Sequence, residues 1–422
     1  MAGEAMSQYD PMNAAYGEVF AQYAELAAFL WEQRRIAVKR PDYVREDIAN
    51  LESRLALQLD GLMTSIDAGW SACEAGLDIG EAGEVFAAAC AALRSREMPR
   101  IQRAVEAGLV NPLATPGLVS ALGWLPAEVV DPWIERFLAG KDMRHKYLGV
   151  AACSVRRQDP GDMLTAILQR PDCLQHEELH ARALRLIGEL RRQDLMAAVV
   201  TAENAQSQCV KFWGLWAAIM LGNKRAVENL KAFVFKPGPY QVRAIELAFR
   251  VLPVEYARGW ISEMASDQAL ARSVVVATGV LGDPHAVNWL IGKMAEPALA
   301  RVAGEAFSLI TGADLKRLQA TQPTPEGWQD GPNDDPADDV VTLDEDEYLP
   351  WPDKLKVAAL WQRHGQNFMV GQRYFMGRPV SAENLKDGLM NGHQHQRHAA
   401  ALELALLGEQ SRFANTRARV SL

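Results

Sequence analysis

Residues 144–318 repeat an apolar helical pattern about every 30 residues, and this period constrains the fold more than any other feature. Five pairs mark the ends of successive copies: Ile187-Gly188, Leu221-Gly222, Leu252-Pro253, Leu281-Gly282 and Thr311-Gly312. A unit of this length cannot bury its own apolar face, so neighbouring units must stack and share one core. The pattern predicts an all-α fold containing an alpha-solenoid of HEAT-like helical hairpins.

Pattern and charge divide the chain into four predicted segments. Apolar residues at three- and four-residue steps predict a helical N-terminal domain over residues 1–140, with helices near 114–122 and 126–138. The repeats occupy residues 141–320. Residues 321–353 lose all periodicity, which predicts an acidic linker or loop. Helical pattern returns over 354–422, which we interpret as a helical C-terminal cap on the open end of the solenoid.

The composition is that of a folded protein, with 49% hydrophobic and 23% charged residues among 422. Trp213 and Trp216 fall at helical spacing, so we expect them in the core. The first residues lack the features of a secretory signal, and no apolar run approaches the roughly 18 residues of a membrane span. The five cysteines are odd in number and widely spaced, which is typical of reduced thiols. We therefore expect a cytoplasmic protein without a membrane span.

The net charge of −9 is distributed unevenly along the chain. Residues 1–140 carry −9, residues 141–318 carry +5, residues 319–353 carry −11 and residues 354–422 carry +6. The acidic segment is therefore the element best suited to a partner, which is either a basic protein or the chain's own basic tail. The candidate partner-binding residues are Asp334, Asp335, Asp338, Asp339, Asp344, Glu345, Asp346 and Glu347.

Residues 176–180, HEELH, match the HExxH pattern of zinc hydrolases. In that hypothesis His176 and His180 bind zinc and Glu177 activates its water. No strand pattern precedes the motif, and Glu178 and Arg182 are polar at positions that such enzymes bury. A solvated first helical turn, where acidic residues favour the helix dipole, is the preferred interpretation.

A second histidine cluster comprises His393, His395 and His398. Imidazoles at this spacing could gather around zinc or nickel. Their neighbours are glutamines and an arginine, however, so a polar helix start is the preferred interpretation. We predict no cofactor for this chain.

Nucleic-acid binding is a further alternative, because the repeat region carries a positive balance. Its basic residues recur once per hairpin, as any repeat would show, at Arg182, Lys211, Arg243, Arg272 and Arg301. The alternative is therefore less favoured than a protein partner. The sequence contains no phosphate-binding glycine loop, GxSxG elbow or calcium-binding loop.

Several stretches carry a resemblance to a known family. They are AELAAFLW at 24–31 with Arg34 and Arg35, LDGL at 59–62, GEVF at 83–86, ALRLIGEL at 183–190, GQRY at 371–374 and AAALELA at 399–405. With these motifs the chain resembles a bacterial family of HEAT-repeat-like proteins associated with type VI secretion gene clusters. The resemblance implies a cytoplasmic accessory or adaptor role, in which an effector or spike-associated protein is handled. It implies no catalytic residues.

These observations together favour a non-enzymatic protein-binding scaffold or adaptor. A zinc-dependent hydrolase using residues 176–180 and a nucleic-acid-binding helical-repeat protein remain as alternatives. The scaffold hypothesis predicts a protein partner of complementary charge. It also predicts that the chain catalyses no reaction.

Overall fold

A computed structural model describes residues 11–328, 331, 343–408 and 412–420, with side chains from residue 17 onward. The described part is all-α apart from one two-stranded hairpin and one isolated β-bridge. The prediction of an all-α class is confirmed.

The Cα positions separate into two compact units. Of the described residues, unit 1 holds 11–39, 43–186 and 415–420, and unit 2 holds 40–42, 187–328, 331, 343–408 and 412–414. The helix of residues 177–190 runs across the division. The sequence boundaries at 140, 320 and 353 stay predictions.

Eleven α-helices begin in the described part of unit 1. They are α1 (Pro11–Ala37), α2 (Arg45–Met63), α3 (Ile66–Gly76), α4 (Ala82–Ser95), α5 (Met98–Val110), α6 (Thr115–Trp124), α7 (Ala127–Ala139), α8 (Met143–Arg156), α9 (Asp162–Gln169), α10 (Pro171–Gln175) and α11 (Glu177–Leu190). The helices predicted near 114–122 and 126–138 are thus present as α6 and α7.

Helix α4 lies at the centre of unit 1, packed against α1, α3, α5 and α6. Its small residues allow the close crossings, and ten of its fourteen residues are buried. Gly117 of α6 is needed for the same reason, because a Cβ there would lie 1.9 Å from the carbonyl oxygen of Ala82. Phe86 of α4 stacks on Trp31 of α1 and meets Trp124 of α6 edge-on. An aromatic core therefore joins three helices.

The described part of unit 2 contains eleven further α-helices and one hairpin. They are α12 (Met196–Ala202), α13 (Gln208–Met220), α14 (Lys231–Val234), α15 (Gln241–Val251), α16 (Val254–Met264), α17 (Ala271–Leu281), α18 (Val287–Lys293), α19 (Pro297–Thr311), α20 (Lys354–His364), β1 (Tyr374–Phe375), β2 (Arg378–Pro379), α21 (Ala382–Asn391) and α22 (Gln394–Leu407). Short 3-10 turns precede α12, α14, α17 and α18.

Most of the predicted segment ends fall at helix ends in unit 2. Gly282 and Gly312 take φ values of 73° and 71° as left-handed caps of α17 and α19, a conformation that favours glycine. The end predicted at Gly188 is wrong, because α11 continues to Leu190. A Cβ on Gly188 would lie 2.5 Å from the indole of Trp216, so this glycine serves close helix packing. Trp216 is buried as predicted, whereas Trp213 is half-buried.

The β-hairpin closes the carboxyl ends of two helices. Met376 and Gly377 both have positive φ, as a two-residue hairpin turn requires. Tyr374 N donates to Gly282 O at 2.7 Å, and Met376 N donates to Leu309 O at 2.7 Å. Carbonyls at a helix end lack intrahelical donors. The hairpin therefore supplies α17 and α19 with the donors that their last turns lack, a strand element that helical periodicity did not predict.

Arg373, just before the hairpin, joins three elements of unit 2. Its guanidinium forms a two-pronged pair with Glu403 of α22 at 2.7 and 2.8 Å and also donates to Leu281 O and Arg250 O. Arg250 lies 3.3 Å from the same carboxylate, and both of these side chains are about 6% exposed. The GQRY motif at 371–374 thus positions a buried ion cluster.

Candidate functional site

The acidic segment divides into two parts. Asp334, Asp335, Asp338 and Asp339 lie outside the described residues. The part from residue 343 onward lies against α17 and α19 of unit 2. Arg272 donates to both carboxylate oxygens of Asp346 at 2.7 Å, and Arg301 donates to both of Asp344 at 2.6 and 3.0 Å.

These pairs engage the carboxylates that sequence analysis assigned to a partner. Glu345 adds a contact at 3.0 Å from Arg272, and hydrogen bonding to Asp346 raises the pKa of the Arg272 guanidinium. Arg301 is almost buried and also lies 4.6 Å from the ring centre of Trp351. Arginine with carboxylate in this geometry is strong and directional. In the described part, then, three candidate partner residues, Asp344, Glu345 and Asp346, hold the segment to its own chain. Glu347 lines a neighbouring cavity.

The HEELH motif lies at the start of α11, where the repeat frame predicted it. The ring Nδ1 of His176 accepts from Leu179 N at 3.3 Å, so one imidazole nitrogen already caps the helix. Glu177 begins the helix. Burial lowers the pKa of His180.

The second histidine cluster lies at the start of α22. His393 precedes the helix and its backbone N donates to the Gln396 side chain at 3.0 Å. The Nδ1 atom of His395 lies 3.3 Å from a carboxylate oxygen of Glu305, and His398 lies one turn into the helix. In the part of the chain that the structure describes, no group of three or more His, Cys, Asp or Glu side chains is placed to hold a metal ion.

The cysteines are thiols, and four of the five are buried. Burial raises the pKa of Cys73 to about 12 and that of Cys153 to about 12. A thiol is nucleophilic only as the thiolate, so these two side chains are unreactive near neutral pH.

A cavity of about 260 Å³ in unit 1 is the main candidate site. Cationic residues dominate its wall: Arg34, Arg35, Lys39, Arg157, Arg182, Arg185, Arg417 and Arg419. Among the described residues, no aspartate or glutamate lines it. This cavity is called the arginine cavity below.

Four structural elements bring these cations together. Arg34 and Arg35 occupy the last turn of α1, and Arg157 caps α8 in a left-handed conformation. Positive charge is favourable at the carboxyl ends of both helices, because the helix dipole is negative there. Arg182, from α11, donates to Ala151 O at 3.3 Å. The cations come from residues 34–39, 157–185 and 417–419, and more than 100 residues separate one group from the next, which explains why no motif revealed the site.

The carboxyl-terminal tail supplies the fourth element. Asn415 donates to Val155 O at 2.8 Å, and the backbone N of Val420 donates to Glu52 at 2.8 Å. The Arg417 carbonyl oxygen accepts from Arg34 at 3.1 Å. These bonds hold residues 415–420 to α1, α2 and α8, and they hold the Arg417 and Arg419 side chains at the cavity.

Aromatic side chains form the base of the arginine cavity. Trp31, Phe86 and Trp124 line it while remaining almost wholly buried. The guanidinium of Arg419 lies 4.4 Å from the ring centre of Trp124, and that of Arg34 lies 5.7 Å from it. Such stacking holds arginine in one orientation. The Arg34 guanidinium also donates to Glu52 at 2.7 Å, so the chain itself engages part of its hydrogen-bonding capacity. The cavity therefore combines a cationic wall with an aromatic base.

Comparison of the chain with protein-family models, with curated proteins and with solved structures found no match. Within the described residues, no helix combines the length and the apolar content that crossing a bilayer would require.

Proposed function

We propose that this chain is a non-enzymatic binding scaffold that captures an acidic segment of a partner protein at the arginine cavity. The observation that carries the proposal is a wall of eight cationic residues, on which no carboxylate lies among the described residues. Glu52 and Glu32 pair with Arg34 and Arg35 from outside the wall, so the balance of these groups stays positive. Guanidinium groups match carboxylates with paired hydrogen bonds, and that geometry gives specificity as well as energy.

The size of the cavity supports a group on a larger molecule as the ligand. Sites for whole small molecules measure roughly 300–1,000 Å³. At about 260 Å³ the arginine cavity suits one or two acidic side chains of a protein segment. The rest of the partner then lies outside the cavity, where charge complementarity sets its rate of association.

Unit 2 offers an example of the same chemistry within this chain. Its arginines at 272 and 301 hold an acidic stretch, residues 344–346, by paired hydrogen bonds. An acidic protein segment is therefore a ligand that closely spaced arginines of this protein accommodate, which favours protein over nucleic acid.

Packing in unit 2 supports the scaffold part of the proposal. Helices α15, α17 and α19 pack against one another in chain order, and Gly279 allows α17 to approach Ala306 of α19 closely. We propose that these hairpins are HEAT-like units of a solenoid. The resemblance to HEAT-repeat-like proteins of type VI secretion gene clusters extends the proposal to a cytoplasmic adaptor for an effector or spike-associated protein.

The test uses a fluorescent hexaglutamate peptide as the probe and the full chain as the receptor. The variant Arg417→Gln/Arg419→Gln removes two exposed cavity cations, and Lys141→Gln/Arg144→Gln removes two exposed cations elsewhere in unit 1. Since a hydrogen bond to a charged group contributes about 1.5–3 kcal/mol, we expect the cavity variant to bind at least about tenfold more weakly. The control should bind as the unaltered chain does.

Two results would contradict the proposal. One is hexaglutamate binding that is equally tight in both variants, which would locate the binding outside the cavity. The other is tight binding of a 12-nucleotide single strand, lost in the cavity variant, without binding of hexaglutamate. That outcome, with its steep salt dependence, would favour a nucleic-acid function instead.

A further inference from the structure

Helix α1 carries an exposed apolar row on the side opposite to the arginine cavity. Val19, Leu26, Phe29 and Ile36 are 45%, 38%, 56% and 37% exposed. At 100° per residue these four positions fall within an arc of about 100°, which they share with the exposed Gln22 and Gln33. Trp31, Arg34 and Val38, which line the cavity, fall on the far side. The row is therefore independent of the anion site.

A row of glutamates accompanies the apolar row along one edge. Glu18, Glu25 and Glu32 recur every seven residues, so they lie nearly above one another on the helix. Glu32 pairs with Arg35 one turn away, whereas Glu18 and Glu25 are exposed and directed to solvent. An apolar line with acidic side chains along one edge is the pattern of a helix that pairs with a partner of opposite charge.

The same charge pattern opposes pairing of two copies through this face. In a twofold antiparallel pair of α1 helices, the glutamate row of one copy would approach the glutamate row of the other. Like charges at such positions destabilise helix pairs. A partner with lysine or arginine beside its apolar line meets the glutamates favourably.

We propose that the outer face of α1 is a docking surface for a basic amphipathic helix of another protein. Phe29, the most exposed of the four apolar side chains, provides the anchor at the middle of the face. Glu18 and Glu25 select the charge of the partner. This surface goes beyond the anion site proposed above, and it takes a ligand of opposite charge.

Two designed peptides provide the probes for this surface. Both are helical 21-residue peptides with the same leucine line, one bordered by lysines and the other by glutamates. Binding to the full chain is measured by fluorescence anisotropy at low and physiological salt. We expect the lysine peptide to bind and the glutamate peptide to bind at least about tenfold more weakly.

Three variants of the chain localise the binding. Phe29→Ser should weaken binding of the lysine peptide about tenfold or more, because the complex no longer buries a large apolar side chain. Glu18→Lys/Glu25→Lys should reverse the preference between the two peptides. Glu128→Lys, an exposed position on α7, should preserve the preference for the lysine peptide. Circular dichroism confirms that each variant is folded, which is expected because all four positions are exposed.

Several outcomes would overturn the inference. They are equal binding of the two peptides, binding of neither peptide, and binding unchanged by Phe29→Ser. A dimer of the unaltered chain that Phe29→Ser dissociates would assign the face to a second copy. The cavity variant Arg417→Gln/Arg419→Gln should bind the lysine peptide normally, so failure of the anion site and failure of this surface remain distinguishable.

Discussion

The two units use arginine in different ways. In unit 2, Arg272, Arg301 and Arg373 each hold a carboxylate through two hydrogen bonds. In unit 1, the arginine cavity gathers cations around a wall on which, among the described residues, no carboxylate lies. The arginines of unit 2 are therefore structural, because each pairs with a carboxylate of the same chain. At the arginine cavity, Arg34 pairs with Glu52 and Arg35 with Glu32, but no carboxylate of the described residues lies on the cavity wall, which is why we propose an external anion as the ligand.

The largest expected effect concerns Glu403, which faces Arg250 and Arg373 in the interior of unit 2. Glu403→Gln removes the carboxylate charge that pairs with the buried Arg250 and the half-buried Arg373, so we expect a loss of about 3–5 kcal/mol in the free energy of unfolding. Urea unfolding followed by circular dichroism measures it. Glu383→Gln, at an exposed position on α21, is the matched control and should change stability by less than about 0.5 kcal/mol. Equal stability of the two variants would contradict a structural role for the cluster.

We expect a smaller loss of stability at the arginine that holds the acidic segment. Arg301→Gln removes both hydrogen bonds to Asp344 and the contact with Trp351, so we expect a loss of about 2–3 kcal/mol. In a double-mutant cycle, Arg301→Gln with Asp344→Asn should cost less than the sum of the single changes. Strict additivity would show that the pair does not couple.

The sequence predicted the members of these pairs but not the pairing. Arg272 and Arg301 stood out as the basic residue of each repeat, and Asp344 and Asp346 stood out in the acidic run. Separations of 74 and 43 residues lie beyond any helical period, so only the fold brings them together. The acidic run was therefore predicted to meet a partner or the basic tail, and its described part instead meets α17 and α19.

Helix ends were predictable where local chemistry determines them. Gly282 and Gly312 adopt the positive φ that their position in the pattern indicates. Gly188 follows the same apolar pattern yet lies inside α11, because its small size serves the approach of Trp216. The arginine cavity was not predictable, since its cations come from α1, α8, α11 and the tail and share no spacing.

An arginine-to-glutamine substitution in the arginine cavity should have a much smaller effect on stability than Arg301→Gln. Arg419 is exposed, and its one described contact is with the ring of Trp124. We expect Arg419→Gln to lower the free energy of unfolding by no more than about 1 kcal/mol, the range of such a contact. Urea unfolding beside Arg301→Gln tests the contrast. A loss as large as that of Arg301→Gln would show that cavity arginines are structural as well.

The smallest expected effect is a pH dependence that arises from His180. Burial lowers the pKa of this side chain, so the folded chain takes up its proton at a lower pH than the unfolded chain does. The stability associated with His180 is therefore complete above about pH 6.5, the ordinary histidine value, and declines as the pH falls below it. Urea unfolding at pH 8, 6.5 and 5 measures the decline, which His180→Gln should reduce. His364→Gln, at an exposed position on α20, should leave it unchanged. A decline that persists in His180→Gln would show that other groups, and not His180, cause the pH dependence in this range.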